Sequence, residues 1–181
     1  MTAARCSGAE TLRRARLVAA ARGWIGTPYL HQASAKGRGA DCLGLVRGVW
    51  RDVVGPEPET PPAYSPDWSE PSREERLWRA CARWLREVPV AEAGPGDVLL
   101  FRMRDRGVAK HLGVLTEVGP GEWRMVHAHS GRCVAEVSVG PSWRRRPSCP
   151  SSSSSLAASP TPTPGRRRRS WRPPPMSRPR G

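Results

Sequence analysis

The chain has 181 residues, enough for one domain of ordinary size with its own hydrophobic core. Its net charge of +14 is unevenly spread: residues 1–143 carry 20 Lys and Arg and all 16 Asp and Glu, whereas residues 144–181 carry 10 Arg and no acid. The high charge therefore belongs mainly to the C-terminal segment, and it does not indicate a nucleic-acid-binding domain.

The first apolar run, at residues 17–21, is short and rich in alanine. It is too short for a signal peptide, and no stretch reaches the length of a membrane span. We therefore expect a protein made in the cytoplasm without a signal peptide and without a membrane span.

The cysteines show no C-x-x-C pair and no regular spacing; they are Cys6, Cys42, Cys81, Cys133 and Cys149. An odd number at irregular spacing favours free thiols in a reducing compartment over a disulfide framework. The four histidines do not pair with cysteines at the spacing of a zinc site. We expect neither a metal site nor a cofactor.

Three helices are predicted in the first half of the chain. Alanine and arginine favour a helix over residues 9–25, which Thr27-Pro28 ends because the residue before proline avoids the helical conformation. A glycine-containing loop, residues 29–40, leads to a second helix that starts at Cys42. After a proline-rich extended connector at 55–71, a third helix is predicted over residues 72–88, with Cys81 in its apolar face.

The second helix has the most informative start. Asp41 is a good N-cap, and Leu43, Val46, Val49 and Trp50 recur at helical spacing behind it. Cys42 would then lie at the helix N-terminus, where free N–H groups and the macrodipole favour a thiolate and a pKa below roughly 8.5. The alternative is a small, buried and inert cysteine.

The period becomes strand-like after Gly96. Short apolar or alternating runs predict four strands, at residues 98–101, 111–116, 123–128 and 133–139. Helices followed by consecutive strands joined by turns predict an α+β fold with an antiparallel sheet.

Beyond Arg146 the composition changes to Ser, Pro, Thr and Arg runs without apolar periodicity. This predicts a domain over residues 1–146 and a disordered tail over 147–181 that cannot supply a sheet strand. An arm for nucleic acid or another anionic surface is the alternative to an uninformative tail, and we favour the latter. Because these residues have GC-rich codons, we also hypothesise that the tail is read out of frame.

Two histidines are placed to assist Cys42. A cysteine nucleophile needs a base and a third group that orients the base. His111 opens the second predicted strand and His127 closes the third, so adjacent antiparallel strands would bring them together. His129 has the same side-chain parity as His127 and could replace it, and His31 is a surface residue or a substrate contact.

Five stretches, in this order, resemble the NlpC-type cysteine peptidases, and most closely the phage and phage-like (gene-transfer-agent type) cell-wall peptidases. They are Trp24-Ile25-Gly26-Thr27-Pro28-Tyr29, Asp41-Cys42-Leu43-Gly44-Leu45-Val46, Pro95-Gly96-Asp97-Val98-Leu99-Leu100-Phe101, His111-Leu112-Gly113-Val114-Leu115 and Val126-His127-Ala128. The resemblance covers residues from about 9 to 146.

The resemblance implies a papain-like α+β domain, with N-terminal helices packed on a small antiparallel sheet, that cleaves peptidoglycan stem peptides. It implies that Cys42 is the nucleophile, His111 the base and His127 the residue that orients His111. Tyr29 would line the site and donate to the oxyanion, and Asp41 and Leu43 join it as candidate substrate-binding or oxyanion positions. Leu43 replaces a serine that many members carry and that is associated with recognising the free amino end of the stem peptide.

The predicted function is thus a cell-wall endopeptidase or amidase acting through a thiol acyl-enzyme. Its expected partners are the peptidoglycan peptide and the proteins of a phage-tail-like particle that delivers it to the wall, with no specific nucleic acid. The alternative is a catalytically silent tail-tip or wall-binding module. A nucleic-acid binder rests on the tail alone, and it predicts salt-sensitive binding that is lost when the tail is removed.

Overall fold

A computed structural model describes residues 8–65, 73–104, 107–120 and 122–140, and the backbone of 157–159. The helices are α1 (Gly8–Arg22), α2 (Cys42–Val53) and α3 (Arg76–Trp84). The strands are β1 (Ser34–Ala35), β2 (Gly39–Ala40), β3 (Arg86–Val88), β4 (Val98–Arg102), β5 (Ala109–Val118), β6 (Trp123–Ala128), β7 (Val134–Ser138) and β8 (Ala157–Ser159). The predicted α+β class is confirmed.

Six strands form one antiparallel sheet in the order β3-β8-β4-β5-β6-β7. The four predicted strands correspond to β4 to β7, which follow one another in sequence and lie side by side. The two remaining strands, β1 and β2, form a small hairpin in the loop before α2. None of the described helices is long and apolar enough to cross a membrane.

Helix α2 begins as predicted. The Asp41 carboxylate caps it, because Oδ1 accepts a hydrogen bond from the backbone N–H of Gly44 at 2.8 Å. Leu45 and Val49 are buried in a core that also contains Val114 and Val126 from the sheet. The apolar face of α2 therefore packs on β5 and β6 and carries Cys42 to one end of the sheet.

Two glycines let α2 approach its neighbours closely. A Cβ at Gly44 would lie 1.8 Å from the carbonyl oxygen of Ala33, and a Cβ at Gly48 would lie 1.9 Å from the indole of Trp24. Trp24 is 1% exposed and donates its indole N–H to Asp52 at 3.1 Å. No larger residue fits at either glycine unless the helix or the neighbour that it contacts moves.

The third helix is shorter than predicted. Its last residue is Trp84, and residues 86–88 form β3 instead of a final helical turn. Leu85 already has an extended backbone (φ −118°, ψ 145°), and Pro89 disfavours a helical conformation at Val88. Cys81 is packed against a core cluster, as predicted, although its side chain keeps some exposure.

The prediction that the tail supplies no strand is wrong for three residues. Ala157–Ser159 pair with β3 on one side and with β4 on the other, where Ala158 is opposite both Glu87 and Val98. Backbone pairing requires no apolar pattern, which is why the composition gave no sign of it. The predicted boundary at Arg146 and the rest of the predicted disordered tail lie outside the described residues.

We expect Ala158→Pro to lower the melting temperature. Because β8 has a partner on each side, the N–H of Ala158 faces one of them, and proline removes that donor. The loss of one ladder bond costs about 1 kcal/mol, which corresponds to a shift of about 4 °C in a domain of this size. Ala158→Ser keeps the N–H and serves as the control in differential scanning calorimetry. Equal melting temperatures for all three proteins would contradict the pairing.

Candidate active site

A cleft of about 560 Å³ opens where the N-terminus of α2 meets the start of β5 and the end of β6. Five of the six predicted site residues line it: Tyr29, Asp41, Cys42, His111 and His127. The sixth, Leu43, does not. It packs with Leu77 and Leu112 and lines a separate apolar groove between α2 and α3, because successive residues of a helix point in different directions.

The Cys42 thiol lies at the first position of α2, and its Sγ is 3.9 Å from the carbonyl oxygen of Lys110, to which it donates. Burial, and then the neighbouring Asp41 carboxylate, raise the pKa of Cys42 to about 12. The backbone N–H groups of Leu112, Leu43 and Cys42 lower this pKa, but by less. The predicted fall in pKa is therefore wrong for the resting site, because desolvation outweighs the helix N-terminus.

His111 and His127 are joined as the strand positions predicted. The Nε2 of His111 lies 3.0 Å from the Nδ1 of His127, and the two rings are nearly perpendicular at 5.1 Å between centroids. Burial lowers the pKa of His111 to about 3, with a further contribution from His127 and His129, and burial lowers the pKa of His127 to about 4. Both rings are therefore neutral near pH 7.

This contact fixes how the protons must be placed for catalysis. A neutral imidazole has one N–H and one acceptor nitrogen. If His111 is to accept a proton on Nδ1, its Nε2 must carry the hydrogen and donate to Nδ1 of His127. His127 then carries its own hydrogen on Nε2. In that arrangement His127, which is 3% exposed, holds the ring and the tautomer of His111.

The other two histidines, His129 and His31, also line this cleft. His129 is exposed, and its Nδ1 is 3.0 Å from the carbonyl oxygen of Ser130, while its ring is 5.8 Å from that of His127. The ring that contacts Nε2 of His111 is therefore that of His127. His31 is half-buried, and its Nε2 lies 2.7 Å from the carbonyl oxygen of Tyr64.

Tyr64 is a site residue that the sequence did not reveal. Its hydroxyl donates to Oδ2 of Asp41 at 2.6 Å, and its backbone carbonyl accepts from the Gln32 amide at 2.6 Å. Burial, and then the bond to Asp41, raise the pKa of Tyr64. The connector residues around Tyr64 therefore form one wall of the cleft. The only signal was an aromatic residue in a proline-rich segment.

Tyr29 is half-buried close to the thiol. Burial raises the pKa of Tyr29 most, and the nearby Cys42 and Asp41 raise it further. The hydroxyl therefore stays protonated and can donate a hydrogen bond into the cleft. Among the side chains that the structure describes, no cluster of His, Cys, Asp and Glu is arranged to hold a metal ion.

We expect Cys42 to be alkylated slowly at neutral pH in the free protein. Iodoacetamide reacts with the thiolate, and a pKa raised to about 12 keeps the thiol protonated until strongly alkaline pH. The rate at Cys42, followed by peptide mass mapping from pH 6 to 10, should rise about tenfold per pH unit without reaching a plateau. A plateau below about pH 9 would mean that the thiolate is stabilised instead.

Comparison with known proteins places the fold and the family. A Staphylococcus aureus protein similar to lipoproteins of the NLP/P60 family aligns over 87% of this chain and 44% of its own, with 16% identity and a TM-score of 0.54. NlpC1 of Trichomonas vaginalis aligns over 81% of this chain and 43% of its own, with 18% identity and a TM-score of 0.46. An N-acetylmuramoyl-L-alanine amidase of Bacteroides uniformis aligns over 81% and 97%, with 11% identity and a TM-score of 0.46.

The Staphylococcus aureus structure shares the fold, and this chain spans less than half of its length. A search of curated proteins gave no match. The model of the NlpC/P60 family matches residues 26–149, which include every residue of the cleft and more than half of the sequence. The chain belongs to the NlpC/P60 family.

Proposed function

We propose that this protein is a cysteine endopeptidase or amidase that hydrolyses peptidoglycan stem peptides through a thiol acyl-enzyme. The observation that carries the proposal is the hydrogen bond between His111 and His127 in the cleft that contains Cys42. A nucleophile, a base and a group that orients the base are the parts that covalent acyl transfer requires. Membership of the NlpC/P60 family supports the wall peptide as substrate.

In the first step Sγ of Cys42 attacks the scissile carbonyl carbon, and the thiol proton passes to Nδ1 of His111. The resulting imidazolium donates from Nε2 to His127. Collapse of the tetrahedral intermediate breaks the C–N bond, and His111 gives its proton to the leaving amine. A water molecule, deprotonated by His111, then attacks the thioester and releases the acid and the free thiol.

The developing oxyanion would be stabilised by two donors. The backbone N–H of Cys42 belongs to the first turn of α2, where N–H groups have no partner inside the helix. The Tyr29 hydroxyl is the side-chain donor on the same cleft. Donors fixed in a partly buried site stabilise the charge more than water does.

We also propose that the protein acts in or from a phage-like particle. The five stretches quoted above, in their order, support a phage-type wall peptidase. The proteins of such a particle are then the expected partners, and the cell wall is the expected place of action. This part of the proposal can fail without affecting the chemistry of the cleft.

A second candidate is a catalytically silent wall-binding or tail-tip module with the same fold. The raised pKa of Cys42 and the lowered pKa of His111 favour it, because the resting site holds a neutral thiol and a neutral imidazole instead of an ion pair. Both candidates therefore predict slow labelling of the resting thiol, and turnover is the measurement that separates them.

The test is digestion of purified peptidoglycan by the full chain, with the products identified by mass spectrometry. We expect new stem-peptide fragments, whose masses identify the bond that is cut, and none with Cys42→Ala. Binding to the wall without any fragment, under conditions where a known wall hydrolase is active, would favour the silent module.

A further inference from the structure

The apolar groove between α2 and α3 is a second concave surface, which the proposed chemistry does not use. It has a volume of about 440 Å³, and residues 57–62 of the connector form its third wall. None of its described lining residues belongs to the cleft. Pockets for small organic molecules measure about 300–1,000 Å³, so the groove has the size of a small-ligand site.

The floor of the groove is aliphatic. The side chains that line it are Leu43 and Val46 from α2, Leu77 from α3 and Leu112 from β5. Trp84, at the end of α3, adds an indole to the lining, and this residue is 38% exposed. A contiguous apolar surface that is framed by polar residues marks a binding site. The floor therefore favours an apolar chain over a polar ligand.

The charged residues at the rim of the groove are mostly cationic. They are Arg47, Arg76, Arg79, Arg83, Glu57 and Glu59. Both carboxylates already bind arginines of the protein, since Nε of Arg47 lies 2.6 Å from Glu57 and a guanidinium nitrogen of Arg83 lies 2.5 Å from Glu59. The rim therefore attracts an anionic group, and a cationic group finds no uncommitted carboxylate among the described lining residues.

Arg79 is the rim cation that can bind a ligand without breaking an ion pair. It is exposed, and its guanidinium has no hydrogen-bond or ion-pair partner among the residues that the structure describes. The nearby Glu74 binds Arg76 at 2.7 Å, and Glu75, one turn before Arg79, binds Arg102. A guanidinium presents paired N–H donors that match the two oxygens of a carboxylate.

The C-terminal segment of the chain is disfavoured as the occupant of the groove by its charge. Residues 144–181 carry 10 Arg and no acid, so they have the same sign as the rim. A bilayer surface is disfavoured by shape, because a concave groove of this size takes chains singly. The remaining occupant is a free molecule with an apolar chain and an anionic head.

We propose that the groove between α2 and α3 is a binding site for a single-chain aliphatic carboxylate, with the chain on the leucine and valine floor and the carboxylate on Arg79. The inference goes beyond the proposed function and does not depend on it, since the groove and the cleft have no described lining residue in common.

The first test varies the length of the chain. Octanoate, decanoate and dodecanoate are titrated into the full-length protein by calorimetry at pH 7, below the concentrations at which they form micelles. Each methylene that enters the groove should tighten binding about fourfold, which is about fifteenfold between successive probes. Equal affinity for the three probes, or no binding of dodecanoate, would overturn the inference.

A second test locates the bound chain with a matched pair of substitutions on α3. Ala80 is half-buried and lines the groove, whereas Ala82 is exposed and does not. Ala80→Trp fills the groove and should weaken dodecanoate binding about tenfold or more, while Ala82→Trp should change it less than about twofold. If Ala80→Trp does not fold, Ala80→Leu should still weaken binding about threefold. Wild-type affinity in the folded Ala80 variants would overturn the site.

The head group is tested by comparing dodecanoate with dodecyltrimethylammonium. The anion should bind about tenfold more tightly, and Arg79→Gln should reduce this preference to less than about twofold. Arg38→Gln is the control and should leave the preference unchanged, because Arg38 is exposed and is not part of the groove lining. Equal binding of the two probes, or a preference that survives Arg79→Gln, would overturn the role of Arg79.

Vesicles of phosphatidylglycerol distinguish a free chain from a membrane lipid. Any binding to the vesicles through the arginines of residues 144–181 is expected to be the same for the wild type and Ala80→Trp, since the groove takes no part in it. Vesicle binding that Ala80→Trp abolishes would identify the groove as a membrane contact, and it would overturn the proposed ligand.

Discussion

Cys42→Ala is expected to abolish the hydrolysis of peptidoglycan peptides. Cys42 is the sole cysteine among the described lining residues of the cleft, and removing the nucleophile of a covalent mechanism lowers the rate by about 10⁴-fold or more. The measurement is the rate of fragment release from purified peptidoglycan, followed by mass spectrometry. The melting temperature should change little, since the substitution removes one sulfur atom at the edge of a cleft.

Cys81→Ala is the matched control for this variant. Cys81 is also a half-buried thiol whose pKa burial raises to about 12, but it lies in the packing between α3 and the sheet. Its loss should cost a small amount of stability and leave the rate within about twofold of the wild type. Retained activity in Cys42→Ala, with Cys81→Ala inactive, would reject the proposed nucleophile.

His111→Ala is expected to reduce the rate nearly as much as the loss of Cys42. The thiol of Cys42 is not ionised in the resting site, so it depends on a base to take its proton during the attack. Residues that act as one catalytic unit lose most of the activity when any essential member is removed. The comparison is made at pH 7 on the same peptidoglycan, with circular dichroism to check folding.

His127 and His129 provide a graded comparison. His127→Asn should keep partial activity, because the amide oxygen can accept the hydrogen bond from Nε2 of His111, whereas His127→Ala should lose more. His129→Ala should be mild, since the ring is exposed and its Nδ1 contacts the backbone carbonyl of the neighbouring Ser130. A damaging His129→Ala beside a harmless His127→Ala would assign the third position to His129.

Local patterns predicted the elements that depend on local physics. Asp41 caps α2 because a carboxylate three residues before an N–H is a local arrangement, and β6 spans the same residues, 123–128, that were predicted. Residues 86–88 were predicted to be helical although they form a strand. The strand that pairs with them lies some seventy residues away, so their local pattern does not reveal the pairing. A strand that exists only through distant backbone pairing leaves little trace in its own sequence.

The contact between the two histidines could be predicted, because strand adjacency determines it. The protonation of the thiol could not be predicted, because it depends on a balance of competing energies. Adjacent strands were enough to bring His111 to His127. The protonation of Cys42 depends instead on how deeply the thiol is buried and on how close Asp41 lies, and neither quantity can be derived from spacing. Tyr64 reaches Asp41 from an irregular segment whose path only the folded chain defines.

The close contacts of α2 have a kinetic consequence. Gly44 against the Ala33 carbonyl and Gly48 against Trp24 leave the helix no room to slide or tilt toward a substrate. The sulfur is thus a stationary atom, and the thiol hydrogen, which points to the Lys110 carbonyl at rest, is redirected by rotation about the Cβ–Sγ bond alone. Such a torsion takes picoseconds to nanoseconds, far less than a segmental rearrangement. Activation of the nucleophile therefore requires no movement of α2.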